Sequence, residues 1–144
     1  MEIRKLRNND ITKVIELWYD TSVLAHDFIS TDYWKDNKKA MAKVYLPNSE
    51  TYLALQKGDI VGFIAMADNY LAAIFVQTNM QGNGIGKKLL NYIKRKRTTI
   101  QLKVYKKNSN SIHFYKKQDF KILSESIEES TNEIELIMEW NKQK

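Results

Sequence analysis

Residues 81–87 read QGNGIGK and run directly into KLLNYIKRK at 88–96. Three of the five glycines of the 144-residue chain stand in this one stretch. Glycine inside a folded element costs about 0.5–1 kcal/mol relative to alanine, so a cluster marks backbone that something else must approach closely. The apolar run YLAAIFV (70–76) precedes it, and Ile85, Leu89, Leu90 and Ile93 follow with the spacing of one helical face. Strand, glycine loop and helix start together turn several N–H groups outward at the positive end of a helix dipole, where anions bind. Taken alone, the pattern fits a tight helix–strand contact equally well. Two nucleotide motifs are excluded. A dinucleotide fingerprint opens the first βαβ unit and has an acid about 20 residues on, whereas this loop is mid-chain and no acid follows for over thirty residues; a P-loop needs G-x-x-x-x-G-K-[ST], which Gly82 does not begin.

Working outward, the period of the apolar pattern assigns the rest. MEIRKLR alternates as a first strand, and Ile11, Val14, Ile15 and Trp18 lie on one face of a helix over 11 to about 24. After the link AHDFIS, Ser30 or Thr31 caps a second helix that runs to Tyr45 and is stopped by Pro47. The period then becomes 2: TYLALQ and IVGFIAMAD form a hairpin across Lys57-Gly58-Asp59, and Asn69 turns the chain into the third strand of the series. Beyond the glycine loop come a strand (TIQLKVY), a short helix (SNSIHFYKKQ) and two strands (FKILSES, EIELIMEW). The order β-α-α-β-β-β-α-β-α-β-β predicts an α/β mixed sheet in one domain over residues 1–144.

Charge sharpens the ligand class. The formal net charge is +6, but residues 69–118 contain no Asp or Glu and hold eleven Lys and Arg, so the glycine loop sits in a cationic half suited to an anionic ligand. With no cysteine, disulfides and thiol catalysis are excluded and no cysteine-based metal site is expected. The charged start MEIRKLRNND does not resemble a signal peptide, and no apolar run approaches the roughly 18–20 residues of a span, so a cytoplasmic protein without a membrane partner is expected.

The loop and a second block resemble the GNAT superfamily of N-acetyltransferases. Its cofactor signature (Q/R)-x-x-G-x-(G/A) is matched by Gln81-Gly82-Asn83-Gly84-Ile85-Gly86, and its N-x-x-A-x-x-F-Y-x-x-x-G-F by Asn108, Ser111, Phe114, Tyr115, Asp119 and Phe120. Ser111 replaces alanine, Asp119 replaces glycine, and Thr78 stands where proline is frequent. AHDFISTDYW further resembles the small bacterial YjaB-like branch. The resemblance implies a GNAT-type acyl-CoA N-acyltransferase fold that moves the acetyl group of acetyl-CoA to a primary amine, on a small molecule or a protein lysine or N-terminus, by direct attack in a ternary complex without a metal.

It also implies a site. Ile74, Phe75 and Val76 would pair with the pantetheine like an added strand, and the backbone of Gln81, Gly82, Asn83, Gly84, Ile85, Gly86 and Lys87 would cradle the pyrophosphate. Tyr115 would protonate the departing thiolate, and Asn108 would bond the pantetheine or cap its helix. His26 is the candidate base, although a water chain would serve as well. Asp27 would hold the amine by charge, and Tyr33 and Trp34 would line the acceptor pocket with Tyr19 or Tyr70; His113 is expected at the surface. Two alternatives stand beside this: a non-catalytic CoA-binding sensor and, more remotely, a nucleic-acid module built on KRKR at 94–97. A monomer and a homodimer are equally compatible with the sequence.

Overall fold

In the computed structural model, which describes residues 1–143, β1 (Glu2–Lys5) leads through a 3₁₀ turn into α1 (Ile11–Ala25). The corner is clasped by Asp10, whose carboxylate accepts two hydrogen bonds from the Arg4 guanidinium at 2.8 and 3.0 Å and one from the Arg7 N–H at 2.8 Å. The Arg4 guanidinium in turn holds the Asp10 carboxyl below the ordinary carboxylate range. Ser30 caps α2 (Thr31–Ala40) by accepting from the Asp32 N–H. The predicted single helix to Tyr45 changes character after Ala40: Met41–Tyr45 is a π turn in which the Leu46 N–H reaches back to the Met41 carbonyl, and Leu46 is buried.

From residue 50 the chain is mostly sheet. β2 (Glu50–Gln56) and β3 (Asp59–Ala67) are joined by Lys57 and Gly58 at φ 52° and 84°, the two left-handed residues of a type I′ hairpin turn. β4 (Tyr70–Val76), α3 (Ile85–Lys94), β5 (Thr99–Tyr105), α4 (Ser109–Lys117), β6 (Lys121–Glu128) and β7 (Glu133–Asn141) complete the order expected from the sequence. The strands form one mixed sheet, β1-β2-β3-β4-β5-β7-β6, antiparallel throughout except for β4 and β5. Val14, Trp18 and Trp34 from α1 and α2 pack on one face with Leu53 and Phe63, and Leu89, Leu90 and Ile93 from α3 pack on the other with Ile64, Leu102 and Met138. Gly62 of β3 lets α3 approach: a Cβ there would stand 2.9 Å from the Phe75 carbonyl oxygen and 3.3 Å from Ile85 Cγ2. Among the described residues no helix is long and apolar enough to cross a membrane.

The feature that positions the site is a fault in the sheet. β4 and β5 share a single register pair, Tyr70 with Gln101. Beyond it β4 stays on β3 and β5 stays on β7. Leu71 faces Met66 and Ala73 faces Ala65, so Ala72 is an extra residue in β4, a bulge that bends the strand away from its parallel neighbour. The diverging ends leave a notch with one unpaired strand edge on each side.

Candidate functional site

On the α3 side of the notch lies a cavity of about 460 Å³, bordered by Ile74, Val76, the glycine loop, Phe114 and Tyr115. Gly82 and Gly84 adopt φ 83° and 80°, and no heavy atom lies within 4 Å of where a Cβ would stand on either. Their role is the left-handed backbone. Gly86 differs: its φ is not positive, and a Cβ would meet the Phe114 ring at 3.3 Å. The two readings of the cluster therefore divide between its members, two glycines shaping the loop and the third allowing a close contact. The first backbone bond of α3 runs from the Lys88 N–H to the Gly84 carbonyl at 3.0 Å, so the N–H groups of Ile85, Gly86 and Lys87 have no partner within the helix. Lys87 borders the cavity. Asn83 turns its side chain away to donate to the Met80 carbonyl at 3.0 Å, and the Ile85 side chain is buried in the core, which leaves both with only their backbone to offer.

The free edge of β4 forms one wall. The Gln77 N–H donates to the Val61 carbonyl at 2.8 Å; by strand alternation the N–H and C=O of Val76 then point into the notch. Gln81 reaches that carbonyl with Nε2 at 3.1 Å, tying the loop to the strand end.

A second cavity of about 300 Å³ opens on the α1–α2 side, and Ile74, Val76 and Tyr115 border both. Tyr115 is 8% exposed, packed between Phe114 and Phe120, and burial pushes its hydroxyl above the ordinary phenol value, so it is protonated at neutral pH. Asn108 caps α4 by accepting from the Ser111 N–H at 3.3 Å. Its amide Nδ2 lies 3.3 Å from His26 Nε2. His26 Nδ1 is 2.9 Å from the Ser22 carbonyl, which only accepts, so the proton sits on Nδ1 and Nε2 takes the Asn108 hydrogen bond. The ring stacks on Trp34 at 4.9 Å and is buried, which lowers its pKa and keeps it neutral. His26 and Trp34 border this cavity, as does Tyr70.

Other expectations move. Asp27, next in sequence to the buried His26, is exposed and lies outside the lining of both cavities. Tyr33 packs edge-on against Trp34 at 4.9 Å, outside the lining of the cavity, and Tyr19 lies under Lys38 Nζ at 4.0 Å, away from it. His113 is exposed, as expected. Glu135 enters unannounced. It lies opposite Tyr105 in the β5–β7 register, borders the second cavity, and has its carboxyl raised by burial against the pull of Lys103. Its signal in the sequence is an acid at an alternate position of EIELIMEW, which says nothing until β7 is known to lie beside β5.

The KRKR run is largely absorbed by the fold. Lys94 donates to the Gln118 carbonyl and lies 5.1 Å over Trp140, Lys96 lies over Tyr52 and Tyr92, and Arg97 pairs with Glu50 at 3.0 Å. Cations so engaged make a poor phosphate-tracking surface, which weighs against the nucleic-acid alternative.

Comparison with known proteins agrees with this geometry. Residues 20–137 match the family model of the acetyltransferase (GNAT) domain. The chain is 32% identical over 139 residues to peptidyl-lysine N-acetyltransferase YiaC of Escherichia coli K12, spanning 96% of this chain and 95% of the relative, and 28% identical to peptidyl-lysine N-acetyltransferase YjaB of Salmonella typhimurium over 88% and 87%. The solution structure of apo-form YjaB from Escherichia coli superposes with a TM-score of 0.85 at 22% identity, covering 96% of this chain and 95% of that one. With the family model spanning most of its length and a relative matched almost end to end, the chain belongs to the GNAT family of acetyl-CoA-dependent N-acetyltransferases.

Proposed function

We propose that this acetyltransferase transfers the acetyl group to the side-chain amine of lysine in a protein or peptide, working as a single domain over residues 1–144 in the bacterial cytoplasm. The observation that carries the proposal is the meeting of two cavities at one buried tyrosine, a donor side and an acceptor side joined through the notch. The relatives at 32% and 28% identity are named for peptidyl-lysine, which supports that acceptor.

The residues present fit acetyl-CoA. Gly82 and Gly84 leave space where a Cβ would stand, and the helix-start N–H groups with Lys87 supply donors and charge for the pyrophosphate. The edge of β4 from Ile74 to Val76 offers main-chain partners for the pantetheine amides, as in strand addition. The Val76 N–H, turned into the notch, is placed to stabilise the negative charge that develops on the carbonyl oxygen. The co-substrate supplies an activated acetyl thioester. Tyr115, kept protonated by burial, donates to the sulfur, and Asn108 holds both the start of α4 and the His26 ring. His26, with its lone pair already bonded, serves to position Asn108 and Trp34 rather than to take the proton.

The test is thiol release with acetyl-CoA against lysine peptides, free amino acids, polyamines and aminoglycosides. Turnover is expected to be fastest with lysine peptides. Turnover confined to small amines overturns the acceptor, and CoA binding without thiol release from any amine returns the sensor alternative.

A further inference from the structure

Of the acids on the β6–β7 hairpin, Glu125 and Glu133 are paired with Lys106 and Lys107 at 3.0 and 3.2 Å. Glu135 forms no such ion pair among the described residues, yet it is half-buried and borders the same cavity as Tyr115. A carboxylate withdrawn from water into a cleft has two common reasons: a structural ion pair, which is missing, or a cation that arrives from outside. Tyr70 of β4 borders that cavity as well, with its hydroxyl raised by burial and by Glu135.

The geometry points to Glu135 as the acceptor-side catalytic residue, whose carboxylate receives the ammonium of the incoming amine in the second cavity and takes one proton from it. This rests on the amine-acetylating reading above. The proton account closes: the ammonium gives one proton to Glu135, the freed nitrogen bonds to the acetyl carbon, and the C–S bond breaks with its electron pair on sulfur. Tyr115 protonates that sulfur and recovers a proton from the nitrogen, so the products are amide and thiol, and the one net proton leaves Glu135 for solvent. Lys103 and Tyr105 face Glu135 from β5, Glu128 from β6 and Tyr70 from β4. Tyr33 of α2, His26 and Tyr115 complete the titratable surroundings. Burial and Glu128 raise the carboxyl and Lys103 lowers it. A raised carboxyl is a better proton acceptor and loses that function only when pH falls through its pKa.

The experiment measures kcat/KM from pH 6 to 9 with a blocked peptide carrying one lysine, for the wild type and Glu135→Gln. A free lysine amine titrates near about 10.4. An enzyme that binds the ammonium and deprotonates it gives a flat profile across this range, whereas the variant must draw free amine from solution and rises about tenfold per pH unit. At pH 7 the loss is expected at about 10²–10³-fold, closing as pH rises. Glu135→Asp restores part of the flat profile, CoA affinity is unchanged in both variants, and the peptide binds Glu135→Gln about tenfold more weakly in the absence of acetyl donor. A uniform loss with parallel profiles, or no loss, overturns the assignment. Should the wild type release no thiol with any amine, the acetyl-transfer reading fails instead, and equal peptide affinity in wild type and Glu135→Gln overturns the role of Glu135 separately.

Discussion

At the residue scale, Tyr115 carries the sharpest consequence, because a buried phenol held protonated can take part in the proposed transfer only as a proton donor. Tyr115→Phe keeps ring and volume, so CoA affinity is expected to stay within about twofold while kcat and kcat/KM fall together by about 10²–10⁴. A normal kcat with raised KM would assign the hydroxyl to binding. The glycines allow a second comparison. Gly84→Ala forces a side chain onto φ 80° and is expected to lower CoA affinity at least tenfold, whereas Gly86→Ala asks only that the Phe114 ring yield by a few tenths of an ångström and should bind within a few-fold of wild type. Isothermal titration of both, with circular dichroism as the folding control, decides it. Tyr115 and Gly84 are legible in the sequence because they fall on two spaced motifs. Glu135 is not, since it acquires meaning only from a neighbour thirty residues away, Tyr105. Asp27 is the opposite case, a charge in a suggestive linker whose direction no sequence pattern fixes and which stands exposed outside the lining of both cavities.

At the scale of elements, periodicity finds α1–α4 and β1–β7 in order, because most of them have a buried face of the right period; the edge strands β1 and β6 have no fully buried residue and are read from their apolar character alone. What it misses are the local departures, the π turn at Met41–Tyr45 and the bulge at Ala72, which add one residue without changing the apolar character of the segment. The Asp10 clasp is equally hidden, since NND signals a helix cap but not an arginine reaching back from β1. Its energetics carry a definite sign. Asp10 is held below its unfolded pKa of about 3.9, so its contribution is fully present above that value and is lost as pH falls through the depressed folded pKa. Asp10→Asn is expected to cost about 2 kcal/mol at pH 7 in urea unfolding, with the difference from wild type shrinking toward pH 3. A constant difference at both pH values would assign the loss to packing.

At the scale of the molecule, element order and the single-pair contact between β4 and β5 divide the sheet into two ladders, β1 to β4 and β5 to β7 with β6, that share helices but hardly share backbone hydrogen bonds. The sequence shows both ladders and nothing of the gap, because a missing pairing leaves no mark on either strand. On the proposed reading, acetyl-CoA laid along the free edge of β4 would stand where a hydrogen-bonded ladder is absent. Amide exchange is therefore expected to be fast at Ile74 and Val76 in the free protein and slow at Ile64 and Leu102, with saturating CoA slowing the first pair by at least tenfold and leaving the second pair nearly unchanged. Equal exchange with and without CoA would deny the strand this use. If the gap is bridged in this way, the chain borrows part of its cooperativity from a metabolite: the degree to which its two halves open together or separately follows the free concentration of acetyl-CoA relative to its dissociation constant. A cell short of acetyl-CoA would then hold not merely an idle enzyme but a looser one, more exposed to proteolysis along the seam.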